Sequence, residues 1–197
     1  MLVVPFMEKS FHIIHRWYGN SECDWIPWLK RELNKKGVGA VSYNMPDTKR
    51  PKMDEWVQFI SKVVDNPGKQ TYFIGHSIGC QAVIRYISGL QNDVVVGGAV
   101  LVAPWVKVVN LESEEEPIAR SWITTPIDWE AAKRHCKRFT IIYSNNDQWV
   151  LEEEANSIGK RLNAKMVLDK EKGHFTEEEG VTELPSLLDE SLAMCKD

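Results

Sequence analysis

The sequence predicts a three-layer α/β/α sandwich around a mostly parallel six-stranded sheet, on three observations. Apolar runs of strand length alternate with helical patterns along the whole chain. Those runs are nearly continuous in apolar residues, as strands covered on both faces must be. No repeat or low-complexity segment interrupts the alternation. The predicted strands are "SFHIIH" (10–15), "VGAVSY" (38–43), "QTYFIG" (70–75), "VGGAVLVA" (96–103), "FTIIYS" (139–144) and "AKMVLD" (164–169). Helices are predicted near 24–36, 53–66, 78–90, 128–136, 151–162 and 182–194. The first carries Trp25, Ile26, Trp28, Leu29 and Leu33 close to one stripe, with Asp24 read as its cap and Pro27 in its first turn. Pro185 falls in the first turn of the last helix, where its missing N–H is harmless. Parallel strands alternating with helices imply right-handed crossovers. The longest stretch outside the pattern is 105–127, "WVKVVNLESEEEPIARSWITTPI". Its Glu112, Glu114, Glu115 and Glu116 are expected on a solvated surface, and its length suits a lid or a substrate-contacting loop.

With 197 residues, 43% of them hydrophobic and 26% charged, the chain is expected to form one domain, 1–197, around one buried core. Net charge is −4 and Lys/Arg residues are scattered, which argues against nucleic acid or an anionic membrane as the main partner. No apolar run approaches membrane-spanning length, and "MLVVPFMEKS" is too short and weakly patterned for a signal peptide, with Met7 a second candidate start beside Met1. Cys23, Cys80, Cys136 and Cys195 lie far apart, without a C-x-x-C pair or metal-ligand spacing. They read as buried reduced thiols, which places the protein in the cytoplasm with no metal site.

At "TYFIGHSIGCQAVIRYI" (71–87) a strand gives way to a helix at Ser77, with Gly75 and Gly79 two residues either side. A nucleophile projected on a sharp strand-to-helix turn needs small neighbours at those positions, the G-x-S-x-G elbow. The turn aims the Ile78 amide toward the same spot, one half of an oxyanion hole. Three fixed residues match by chance in roughly one chain in fifteen of this length, so the motif weighs through its strand-turn-helix setting. The rival reading is a tight turn without chemistry.

A neutral serine needs a base and a group to orient that base. α/β-Hydrolases present them in the order Ser, acid, His. Asp147 lies in the loop after the fifth strand and His174 just past the sixth, both on the edge of the sheet where Ser77 lies. Competitors read differently. Asp128 caps a helix, Asp169 closes a strand in solvent, His12 packs within the first strand, and His135 sits exposed among basic neighbours. His76 points away from the hydroxyl at the elbow.

Five segments together resemble a known family: "DWIPWLKREL" (24–33), "MPDTKRPKMDEWVQFI" (45–60), "FIGHSIGCQAVIRYI" (73–87), "PIDWEAAKRHCKRFTIIYSNNDQWV" (126–150) and "GHFTEEEGVTELPSLLDESL" (173–192). Over nearly its full length the chain resembles the small serine hydrolases grouped with retinoblastoma-binding protein nine and its bacterial relatives. The resemblance implies an α/β-hydrolase core with a minimal lid, and Ser77, Asp147 and His174 as catalytic residues. Related enzymes follow the first strand with a His-Gly pair, whereas this chain reads "HRWYGN", with His15 followed by Arg16. If that position needs φ > 0, arginine there costs of order 1 kcal/mol. The second oxyanion donor is then the Trp17 or Arg16 amide, and the guanidinium is read either as a contact for a substrate anion or as a surface ion pair.

The expected activity is hydrolysis of a small carboxylic ester, thioester or amide through an acyl-enzyme, with a small-molecule substrate and no metal or organic cofactor. Trp105, Trp149 and His15 are candidate substrate contacts beside Trp17, since aromatic walls favour an apolar acyl or aryl group. Trp25, Trp28, Trp56 and Trp129 read as core. The alternatives are an acyltransferase and a hydrolase-fold binding protein with weak or no turnover.

Overall fold

In a computed structural model, which describes residues 9–91 and 93–196, six strands form one sheet. They are β1 (Ser10–Ile14), β2 (Gly39–Ser42), β3 (Thr71–His76), β4 (Gly98–Val102), β5 (Phe139–Tyr143) and β6 (Lys165–Leu168). Their order across the sheet is β2-β1-β3-β4-β5-β6 and every pairing is parallel. The helices are α1 (Ile26–Lys35), α2 (Met53–Val63), α3 (Ile78–Ser88), α4 (Glu116–Thr124), α5 (Trp129–His135), α6 (Glu152–Leu162) and α7 (Pro185–Met194). All six predicted strands and all six predicted helices are present, with ends that differ by up to three residues; β3 is shifted by one and runs to His76.

Alternate strand residues feed two cores, one on each face of the sheet. Tyr72 and Ile74 of β3, with Val100 and Val102 of β4, pack against Trp25, Ile26, Leu29 and Leu33 of the α1 segment and Leu187 and Met194 of α7. Phe73, Ala99, Leu101 and Ile141 face the other way, toward Trp56 and Ile60 of α2, most of α3, and Ala155, Ile158 and Leu162 of α6. β3 and β4 are buried at every position, which is why their sequences show no polar alternation. Ser77, the nucleophile candidate, directly follows β3, one of these two central strands.

Three local expectations are corrected. The stretch 105–127 contains α4, a helix with Trp122 fully buried edge-on against Trp56 and its indole N–H donating to the Pro51 carbonyl at 2.9 Å. Arg85 of α3 fixes the C-terminal end of α4 by donating to the carbonyls of Trp122, Thr125 and Pro126. So the second half of that stretch is docked rather than a free lid; Glu112, Glu114 and Glu116 are exposed as expected. Asp24 does not cap α1. Its backbone is left-handed (φ 57°), the capping position is Trp25, and the carboxylate goes elsewhere. His135 is buried, 3% exposed, because its Nδ1 hydrogen bonds to the Val94 carbonyl at 2.7 Å. Asp128 does cap α5, accepting from the Ala131 amide at 2.8 Å.

No described helix is long and apolar enough to cross a membrane. The N-terminal segment that bears on a leader lies almost wholly outside the described residues.

Candidate active site

Ser77 joins β3 to α3 with φ 55° and ψ −120°, a conformation a non-glycine residue adopts only when its surroundings impose it. Its amide donates to the Val102 carbonyl of β4 at 2.9 Å. A Cβ on Gly75 would lie 2.7 Å from the Cys80 backbone nitrogen, and one on Gly79 2.7 Å from the His15 carbonyl oxygen. Glycine at both positions lets α3 close onto β1 and β3. The Ile78 amide opens α3, and the first amides of a helix have no partner within it.

His174 Nδ1 and Asp147 Oδ2 are 2.7 Å apart. The other carboxylate oxygen, Oδ1, accepts the amides of Trp149 at 2.9 Å and Val150 at 3.0 Å. A carboxylate only accepts, so Nδ1 carries the proton and Nε2 is left with its lone pair. Ser77 and His174 line one cleft of about 280 Å³, also lined by Arg16, Trp17, Tyr18, Trp105 and Trp149. Among the described residues no hydrogen bond joins the Ser77 hydroxyl to His174; such bonds are commonly long until substrate closes them.

The loop bearing His174 is tied down by side chains that sequence reasoning did not single out. Asn145, Ser144 and Asn146 accept the successive amides of Glu171, Lys172 and Gly173 at 2.9, 3.0 and 2.7 Å. Glu179 Oε2 accepts the His174 amide at 2.7 Å and the Thr176 amide at 3.2 Å. Thr176 and Glu179 form a capping box around the short 3₁₀ turn Glu177–Glu179, a signal that "TEEE" carried openly. The "SNN" run just before Asp147 was the other available sign.

Arg16 is not in the left-handed region; Tyr18, two residues on, is, with φ 57°. The feared strain at Arg16 is therefore absent. Its guanidinium grips Asp24 through Nε at 2.9 Å and through one terminal nitrogen at 3.1 Å, and that nitrogen reaches Glu178 at 2.9 Å. Asp24 also accepts the Glu177 amide at 2.9 Å. The ion pair is thus a partly buried clamp joining the β1–α1 loop to the His174 loop, neither a surface pair nor a free anion contact. His76 is fully buried, and its Nε2 donates to the His174 carbonyl at 2.8 Å. The elbow and the clamp hold the same loop from two sides.

His15 is not at the cleft. It is wholly buried, Nδ1–H donates to the Arg16 carbonyl at 2.7 Å, and Nε2 accepts the Met45 amide at 3.1 Å. Both ring nitrogens are spent on backbone, which removes it from substrate contact. The Gly19 amide also donates to the Arg16 carbonyl, at 3.1 Å. That carbonyl and the Trp17 N–H belong to one planar trans peptide, so fixing the first fixes the second, directed oppositely. Burial lowers the His15 pKa to about 4 from 6.5. Between those values the unfolded chain binds a proton that the folded chain refuses, so stability must fall as pH drops from 6.5 toward 4. The expected slope is roughly 1.4 kcal/mol per pH unit for each histidine so shifted; His12, lowered to about 4 by burial, and His76, lowered by burial as well, add to that of His15. Urea unfolding at pH 7.5, 6.5, 5.5 and 4.5 measures it, and a flat profile across that range contradicts it.

The cleft walls are aromatic and aliphatic: Trp17 stacked on Tyr18, Trp149 edge-on to His174, buried Trp105, and Val108 and Leu111 from the loop before α4. The first half of the 105–127 stretch thus reaches the site. Glu115, Glu178 and Glu179 stand on the same lining. Burial raises the Tyr18 pKa, and Glu115, Glu112 and Glu114 push it further up, a mark of the negative potential over this mouth.

Similarity to known proteins bears on the family and the fold. A family model described as serine hydrolase matches residues 11–191. The Bacillus subtilis (strain 168) protein YdeN, named as a hydrolase, is 31% identical over 184 residues, spanning 93% of this chain and 94% of that protein. Serine hydrolase RBBP9 of Rattus norvegicus is 27% identical over 175 residues, 88% of this chain and 86% of that one. The crystal structure of the B. subtilis ydeN gene product superposes with a TM-score of 0.89 at 28% identity, covering 96% of this chain and all of that chain (100%). Est1E from Butyrivibrio proteoclasticus, in a structure with ferulic acid bound, shares the fold with a TM-score of 0.73 at 19% identity, over 96% and 91% of the two chains.

Proposed function

Since the chain belongs to the serine hydrolase family, we propose that Ser77 is its nucleophile, His174 its general base and Asp147 the group that orients the base. The observation that carries this reading is the 2.7 Å contact between Asp147 and His174 Nδ1, which leaves Nε2 free in the cleft that holds Ser77 on its strained turn. Ser77 Oγ attacks the carbonyl carbon of a small carboxylic ester, thioester or amide while its proton passes to His174 Nε2. The imidazolium then gives that proton to the departing alcohol, thiol or amine. Water repeats the sequence on the acyl-enzyme and frees the acid. The oxyanion is held by the Ile78 amide and by the Trp17 amide, which the pinned Arg16 carbonyl supports over that of Arg16.

The substrate class follows from the walls. Trp17, Tyr18, Trp105 and Trp149 favour an apolar or aromatic group. Because Arg16 is already paired with Asp24 and Glu178, and Glu115 and Glu179 add negative charge, an anionic substrate is disfavoured. The four free, buried cysteines support the cytoplasm, a reducing compartment, as its place of work.

A fluorophosphonate probe, which reacts only with an activated serine, tests the reading. Wild-type protein is expected to label at one site, and Ser77→Ala and His174→Ala to remain unlabelled. A folded wild type that resists the probe, or a Ser77→Ala variant that still labels, overturns it.

A further inference from the structure

The Ser77 hydroxyl offers one proton and two acceptor lone pairs. Its oxygen accepts the indole N–H of Trp105 at 3.1 Å, and among the described residues this is the one hydrogen bond it makes. Trp105 is 2% exposed, and a buried donor without an acceptor is costly, so the Ser77 oxygen is the partner that satisfies its N–H. The indole is held on both sides along the chain. Ala103, two residues before it, sits at φ 48° with its amide bonded to the Ile142 carbonyl at 2.9 Å. The amides of Val106 and Lys107, just after it, both donate to Glu154 of α6 at 3.2 Å. This is a fixed dipole aimed at the atom that reacts.

We infer that Trp105 is a catalytic residue whose indole N–H stabilises Ser77 Oγ as the leaving atom when the acyl-enzyme is hydrolysed. The inference rests on the acyl-enzyme reading above and assigns Trp105 a role beyond that of a wall. A donor accelerates a step only where it is bound more strongly in the transition state than before it. In free enzyme Oγ belongs to a hydroxyl, already a good acceptor, and attack strengthens the bond moderately. In the acyl-enzyme Oγ is the singly bonded oxygen of an ester, a weak acceptor. Water then adds to the acyl carbon, its proton going to His174 Nε2, and the tetrahedral intermediate forms. As that intermediate collapses, the carbon–Oγ bond breaks, its electron pair moves to Oγ, and His174 returns the proton to Oγ. The Trp105 N–H keeps its own proton throughout and gains most in this second half. Deacylation therefore depends on it more than acylation does.

The test is stopped-flow hydrolysis of p-nitrophenyl acetate by wild type, by Trp105→Phe, and by a variant with β-(3-benzothienyl)alanine at position 105. The last keeps the bicyclic shape with sulfur in place of the N–H, and so answers for the Phe variant should that fail to fold. Losing one donor to a full oxyanion costs 10²- to 10³-fold; Oγ shares its charge with a returning proton, so a fall of about tenfold in deacylation is expected. Acylation is expected to change less than about threefold. A burst of nitrophenolate and an acetyl adduct on Ser77, read by intact-protein mass spectrometry, should grow in both variants. Deacylation within twofold of wild type in the benzothienyl variant overturns the role, as does an equal loss in both steps. A wild type that releases no nitrophenolate removes the acyl-enzyme reading itself and this role with it; Ser77→Ala is the blank that separates the two failures.

Discussion

Asp147→Asn is expected to fold as the wild type does and to lose about 10⁴-fold in kcat on any ester the enzyme cleaves. The two oxygens of this carboxylate do different things. Oδ1 accepts two backbone amides, from Trp149 and Val150, while Oδ2 faces His174 Nδ1 at 2.7 Å. An asparagine placed there must turn its carbonyl oxygen to the two amides, because an NH₂ group cannot accept them. Its NH₂ then faces Nδ1 and can be satisfied only if Nδ1 holds a lone pair. The imidazole is driven to the tautomer with its proton on Nε2, where it has nothing with which to take the serine proton. Size and hydrogen-bond count are preserved, so thermal unfolding should barely move while turnover collapses. Parallel melting curves and kcat measurements check this, and an Asp147→Asn enzyme within tenfold of wild type would remove Asp147 from the role assigned to it.

The sheet was legible because its signal is collective. Six apolar runs, fully covered in the central β3 and β4 and partly covered at the β2 and β6 edges, leave little freedom in how β and α alternate, and the six strands follow that reading. The candidate triad was legible for a related reason: parallel strands deliver their following loops to one edge, so a serine, an aspartate and a histidine placed just after strands converge there whatever separates them in sequence. What stayed hidden depends on side chains meeting across loops. Asp24 looks like a cap, since an acidic residue before a proline-bearing helix usually is one; only a left-handed backbone at Asp24 turns its carboxylate toward Arg16 and the Glu177 amide. His15 looked like a site residue because it opens the loop after β1, and nothing in "HRWYG" reveals that both ring nitrogens are taken by backbone. α4 was missed because its apolar stripe, Ile118, Ala119, Trp122 and Ile123, spans little more than one turn behind the acidic run and Pro117 that open the helix. Trp105 was read as a wall, and its donor role rests on a single contact that no spacing rule encodes.

Removing the charge of Asp24 should unfold the protein more readily than any other single conservative change in the site's surroundings. The carboxylate is fully buried at the side chain and holds Arg16, 13% exposed, in two hydrogen bonds while receiving the Glu177 amide. His76 Nδ1 lies 3.6 Å from it, beyond hydrogen-bond length, so the guanidinium carries the pairing. Burial alone would raise the Asp24 pKa; His76 and Arg16 outweigh burial and hold the carboxyl far below its ordinary value of 3.8. Asparagine tolerates the left-handed backbone at this position as aspartate does, so Asp24→Asn isolates charge from shape. Breaking a buried pair by removing one partner costs about 3–5 kcal/mol, and Asp24→Asn should lose stability on that scale in urea unfolding at pH 7. The pH dependence supplies an independent check. A carboxyl whose folded pKa is depressed contributes its full stability above pH 3.8 and loses it as pH falls below that value, where the unfolded chain binds the proton first. Wild type should therefore show an added acid limb below about pH 4 that Asp24→Asn lacks, whereas a decline from pH 6.5 toward 4, set by the buried histidines His15 and His12, should persist in both. Because Asp24 reaches the His174 loop through Arg16, Glu178 and the Glu177 amide, the folded fraction of the variant should also turn over more slowly, with KM little changed. An Asp24→Asn protein as stable as wild type at pH 7, with the same acid limb, would show that the clamp contributes nothing to holding the His174 loop.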